Sequence, residues 1–175
     1  EIDADDASSL IWGFVGTGDK GKQALWDISE NAQGTVKTNI YLGLAYRGDD
    51  KAKTKLFGQL EDGSISNVSW LDWYLNDSVS KKDIKENQQA FVAAIENKEY
   101  DQDFRMQTAR AYARTKPQSA VELITRDYDT ESTESKRNVI KNLMRIDNEF
   151  SQQKLKDLAL TETDEELIKL LKSKY

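Results

Sequence analysis

Cysteine and histidine are absent from this chain of 175 residues. Without them it can form no disulfide, no thiol nucleophile, no Ser-His or Cys-His relay, and none of the usual zinc, copper or haem ligand sets. Catalysis would have to rest on carboxylates, lysine, tyrosine or a serine paired with lysine, aided at most by oxygen-bound magnesium or calcium. Proline occurs once, at Pro117, so little interrupts helix formation. Long apolar runs are missing too. No stretch reaches the roughly 18 residues needed to span a bilayer, which excludes a transmembrane helix. Glycine patterns that cradle phosphates or dinucleotides do not occur. The acidic groups Asp3, Asp5, Asp6 and "DYDTE" at 127–131 fail the twelve-residue calcium-loop pattern, which needs a central glycine and a terminal glutamate. No metal and no cofactor is expected.

What is present is charge and periodic apolar spacing. A composition of 38% hydrophobic and 32% charged residues predicts a soluble, helix-rich single domain with room for a substantial core. The net charge of −6 disfavours a general binder of nucleic acid or anionic membrane. Its distribution is uneven. Residues 1–34 carry seven acids against two lysines, and residues 103–145 carry nine bases against six acids. The polar opening "EIDADDASS" reads as the mature end left by signal cleavage, so a periplasmic or extracellular location is expected. An excised piece or a cytoplasmic protein would look the same.

One spacing recurs five times. Leu10, Ile11, Phe14 and Val15 stand at i, i+1, i+4 and i+5, along one helical face. So do Tyr41, Leu42, Ala45 and Tyr46; Trp70, Leu71, Tyr74 and Leu75; Thr108, Ala109, Tyr112 and Ala113; and Val139, Ile140, Leu143 and Met144. Their starts are 31, 29, 38 and 31 residues apart. Each quartet is followed by turn-forming residues ("GTGDKG", "RGDD", "NDSVS", "TKPQ", "IDNE") and then by a second amphipathic segment. In the third unit the link is longer, and Ser80 with Asp83 predicts a capping box there. The final "TDEELIKLLKSKY" predicts a closing helix capped by Thr163. The expected fold is an all-α, right-handed α-solenoid of about five antiparallel hairpins, with units near 6–34, 35–64, 65–100, 101–130 and 131–160 and a capping helix over 163–174. Stacking is the physical reason for such a fold, because a lone helix pair buries too little surface to offset its ordering entropy.

The stretch "TVKTNIYLGLAYRGDDKAKTKLFGQLEDGS", residues 35–64, resembles a short HEAT-like repeat of bacterial helical-repeat proteins. The resemblance rests on its Val36-Lys37 opening, its "LGLAYRGDD" helix end and turn, and its closing "QLED". Residues 106–127 and 136–158 are similar but weaker copies. "LGLAY" also echoes tetratricopeptide repeats, whose period is about 34 residues, but the 29–31 intervals fit the HEAT-like unit better. The resemblance implies a curved solenoid with its second helices on the concave side. It implies protein binding as the usual role, and it transfers no catalytic signature.

Two sets of side chains are candidates for contact. The residues just after the quartets are Gly16, Arg47, Asn76, Arg114 and Arg145, and Arg110 and Lys141 stand one turn earlier in the last two units. They predict a basic strip suited to an acidic partner or to phosphates. The competing structural account pairs these arginines with Asp49 and Asp147 between repeats, and it is the stronger of the two. Trp12 and Trp73 fall outside the quartets. The pattern would leave them partly exposed, available to a peptide or a sugar ring, but packing into the core, Trp12 under the N-terminal arm and Trp73 under the long third-unit link, is the stronger account. Lys51, Lys53 and Lys55 read as a solvated helix face.

The function expected is non-enzymatic protein–protein interaction of scaffold or adaptor type, with Trp73, Arg110, Arg114, Lys141 and Arg145 as partner-binding residues. One alternative is nucleic-acid binding or DNA repair through the basic strip, since some HEAT-like proteins are DNA-repair glycosylases. Another is a specific inhibitor or immunity-type partner of a single protein.

Overall fold

The computed structural model describes residues 4–66 and 70–173, with side chains from residue 9 onward. Asp3, the side chains of Asp5 and Asp6, any N-terminal cover over Trp12, and Lys174 at the end of the predicted capping helix lie outside what is described. Among the described residues every regular element is helical, and no helix is long and apolar enough to cross a membrane. The chain divides into two compact units between Ser78 and Val79.

The first unit contains α1 (Ala4–Val15), α2 (Asp19–Asn31), α3 (Gly34–Tyr46), α4 (Asp50–Asp62) and the short α5 (Leu71–Trp73), which runs into a π turn at Tyr74–Ser78. Helix α3 is its centre and packs against α1, α2 and α4. All eight residues from Thr38 to Ala45 are buried, so this helix is covered on every side rather than along one face, as a helix enclosed by neighbours must be. Glycine permits two of the contacts. A Cβ on Gly21 would lie 2.1 Å from the Phe14 carbonyl oxygen, and one on Gly43 would lie 2.8 Å from Val15 Cγ2. The π turn has a local cause. Asn76 Nδ2 donates to the Asp72 carbonyl at 2.9 Å, competing for the acceptor that a regular α-helix offers to the Asn76 N–H.

The second unit holds α6 (Lys81–Glu86), α7 (Gln88–Glu96), α8 (Gln102–Ala113), α9 (Pro117–Thr125), α10 (Thr133–Ile146), α11 (Glu149–Thr161) and α12 (Glu165–Lys172). Ser80 and Asp83 form the predicted capping box, and Pro117 occupies the first turn of α9, where its missing N–H costs nothing. Asp164 caps α12, not Thr163. Its carboxylate accepts from the N–H groups of Glu166 and Leu167, while the Thr163 N–H is held by Glu162. Helix α7 packs on α8 and α9, α8 on α9 and α10, α9 on α11, and α10 on α11 and α12. Phe91, Ile95, Phe104, Ile140, Leu143, Leu155 and Leu167 fill the interior between them.

The quartets fare differently in the two units. Thr108, Ala109 and Tyr112, and likewise Val139, Ile140 and Leu143, are buried as predicted. In the first unit several members surface: Leu10 is 52% exposed, Phe14 40%, Tyr46 45% and Trp70 50%. The predicted third unit, 65–100, is divided by the boundary after Ser78, so its quartet belongs to the first unit and Phe91–Ile95 to the second.

Candidate functional site

The exposed members of the second and third quartets, Tyr46 and Trp70, meet Trp12 and Trp73 on the first unit. Trp12 lies 5.5 Å from Tyr46 and 6.2 Å from Trp70, centroid to centroid, and Trp73 lies 5.2 Å from Tyr46 and 6.1 Å from Trp70. These four contacts close a circuit. Three are steep, at 71°, 65° and 86° between planes, and the Tyr46–Trp73 contact is tilted by 50°. A steep contact covers the face of only one of its two rings, and Tyr46 and Trp70 remain 45% and 50% exposed within the cluster. Trp73 is 37% exposed, and the Trp12 indole Nε1–H is buried and finds no hydrogen-bond partner among the described residues.

Trp73 is thus a surface residue braced by aromatic neighbours. Spacing alone put Trp12 and Trp73 outside the quartets but assigned Tyr46 and Trp70 to the core. Position gave a partial signal: the first and last places of a quartet sit at the margins of the apolar stripe, and Tyr46 and Trp70 occupy such places, but so do Tyr41 and Leu75, which are buried.

Beside α1 and α3, a cleft of about 220 Å³ is lined by Val15, Asp19, Lys22, Leu44, Arg47 and Asp49. Asp49 accepts a hydrogen bond from Trp26 Nε1 at 3.2 Å and from the Ala52 N–H at 2.9 Å, and its carboxylate lies 2.8 Å from Lys22 Nζ. Burial by itself would raise the Asp49 pKa. The Lys22 hydrogen bond, then those from Ala52 and Trp26, outweigh it and hold the carboxyl below its ordinary value. The same contact, by hydrogen bond and charge, raises Lys22. Asp49 therefore pairs with the preceding helical pair through Lys22, where the sequence suggested Arg47. Lys51 is an exposed lysine as expected, but its ammonium stands 4.2 Å over the Trp26 ring.

Arg110 and Arg114 lie half-buried on α8 and at its C-cap, and Lys141 and Arg145 lie exposed on α10. The two helices are joined by Asn138 Nδ2 to Gln102 Oε1 at 3.1 Å and by Asn142 Nδ2 to the Met106 carbonyl at 3.0 Å. Both links span 36 residues, so the helices run parallel at that offset. The predicted ladder requires 31. At about 1.5 Å per residue, its pairs are displaced by about 7.5 Å along the axis. Trp73 belongs to the first unit and these four cations to the second, so the five do not make one site within either unit. Among the described residues, no group of three or more acidic side chains is placed to hold a metal ion.

The charge follows the same division. Residues 1–78 hold thirteen acids and seven bases, and residues 79–175 hold eighteen of each, so the whole net charge of −6 belongs to the segment that carries the rings. No family model matches the chain, and neither the curated proteins nor the solved structures contain a significant match to it.

Proposed function

We propose that this chain is a non-enzymatic protein-interaction module, a short HEAT-like stack whose working surface is the aromatic cluster of its first unit. The observation that carries the reading is the exposure of Tyr46, Trp70 and Trp73 within one closed group of rings. Clustered exposed aromatics are costly in water, and aromatic anchors dominate binding energy where proteins meet. The pattern of helix contacts supports the reading as well. In the second unit, alternate helices pack on one another, α7 on α9 and α9 on α11, and α8 on α10 and α10 on α12. Several polar links there join positions 30 to 36 residues apart, from Arg126 to Glu96 across 30 and Thr133 to Asp164 across 31 to Asn142 to Met106 across 36. Stacked units of this kind present extended surfaces.

The basic strip is the weaker candidate, because its unit is electrically balanced and two of its four cations are half-buried. The test compares the wild-type chain with a Trp70→Ala/Trp73→Ala variant in affinity capture from the source cell, followed by titration of the purified partner. The expected result is a stoichiometric partner whose affinity falls at least about tenfold in the variant, roughly 1.4 kcal/mol, with helicity and Tm kept. Retained affinity, or a loss that tracks unfolding, would overturn the reading.

A further inference from the structure

The exposed rings, together with the charge of the segment that bears them, point to a chemical class of partner. We propose that the Trp12–Tyr46–Trp70–Trp73 cluster receives a cationic side chain, arginine or lysine, from a basic segment of a protein partner. This rests on the protein-contact reading above and narrows it.

Three observations carry it. The face of an aromatic ring is the negative end of its quadrupole, and a cation within about 6 Å of a centroid is attracted, most strongly by tryptophan. Three of the four rings are tryptophan, and two of these, Trp70 and Trp73, are 50% and 37% exposed. Second, the cations found over rings among the described residues are Lys51 on Trp26 and Lys136 on Tyr128, and neither ring belongs to the cluster. The Lys51–Trp26 contact shows the same unit using this interaction within itself. Third, the full net charge of −6 lies in residues 1–78, which favours the approach of a basic segment and disfavours an acidic one. Arg47, next to Tyr46, lines the groove on one side of the cluster together with Lys53, whose ammonium pairs with Asp50 at 3.4 Å.

Intrinsic fluorescence reads the site directly, because three of the protein's four tryptophans are in it. The full chain is titrated with a short Gly/Ser peptide bearing arginine at every third position, and with versions bearing citrulline, leucine or glutamate instead. Citrulline keeps the shape of arginine and removes its charge. The arginine peptide is expected to change the emission saturably. The citrulline, leucine and glutamate peptides should bind at least about fivefold more weakly, as should the arginine peptide to Trp73→Ala. Trp73→Phe, which keeps a ring and checks the fold, should lose less. Equal binding of the citrulline or leucine peptide would overturn the cation while leaving a protein-contact surface. Preference for the glutamate peptide, or no response to arginine at millimolar concentration, would also overturn it. Failure of the partner capture described above is a separate result and removes the protein-contact reading itself.

Discussion

Asp49 concentrates several jobs in one carboxylate: it caps α4, accepts from the Trp26 indole, and pairs with Lys22. Asparagine can still cap and still accept from Trp26, whereas alanine can do neither. Asp49→Ala is therefore expected to cost about 1–3 kcal/mol in urea unfolding, and Asp49→Asn clearly less. The depressed carboxyl pKa also sets a pH dependence. Stability from this group is fully present above its unfolded pKa, ordinarily 3.8, and is lost as pH falls through the lower folded value. Below about pH 4, Asp49→Asn should show a flatter decline in stability than the wild type. The turn containing Asp49 is apparent from "RGDD", because capping depends on neighbours within a few residues. Its ionic partner is not, since Lys22 lies 27 residues away and only the packing of α2 beside the α3–α4 turn brings it within reach.

Glycines inside helices show the same limit at the level of elements. Gly43 in α3 and Gly58 in α4 look alike in sequence, each interrupting an otherwise good helix former. A Cβ on Gly43 would press on Val15 at 2.8 Å and Ile11 at 3.3 Å, whereas one on Gly58 would meet nothing within 4 Å. Gly58→Ala should stabilise by about 0.5–1 kcal/mol through backbone entropy and helix propensity. Gly43→Ala gains the same propensity but overpacks the α1–α3 contact, and a net loss of about 1 kcal/mol is expected, read as a Tm lower by about 2–4 °C. The opposite signs test whether α1 crosses α3 where the structure places it. The π turn at Tyr74–Ser78 was likewise hidden, because the quartet Trp70–Leu75 promises an ordinary helix and the amide of Asn76 redirects its end.

For the molecule as a whole, two compact units with their own interiors predict that damage to one stays there. Leu143 is fully buried in α10, and Leu143→Ala should cost about 2–5 kcal/mol. Hydrogen exchange should then accelerate in α8, α10, α11 and α12 while α1–α4 keep their protection. Uniform acceleration across the chain would show one cooperative body instead. By itself the sequence determined the all-helical class, the repeated pattern, most turns and caps, and the absence of cysteine and histidine chemistry. These depend on residue type and on spacings of a few positions, where backbone geometry acts directly. Tertiary structure alone decided that α3 is enclosed on every side, that α8 and α10 meet at an offset of 36 and not 31, and that rings from three separate quartet-bearing segments gather on one surface. Those outcomes follow from how helices slide and rotate against one another. A shift of a few residues between packed helices keeps the local pattern intact and changes which side chains meet.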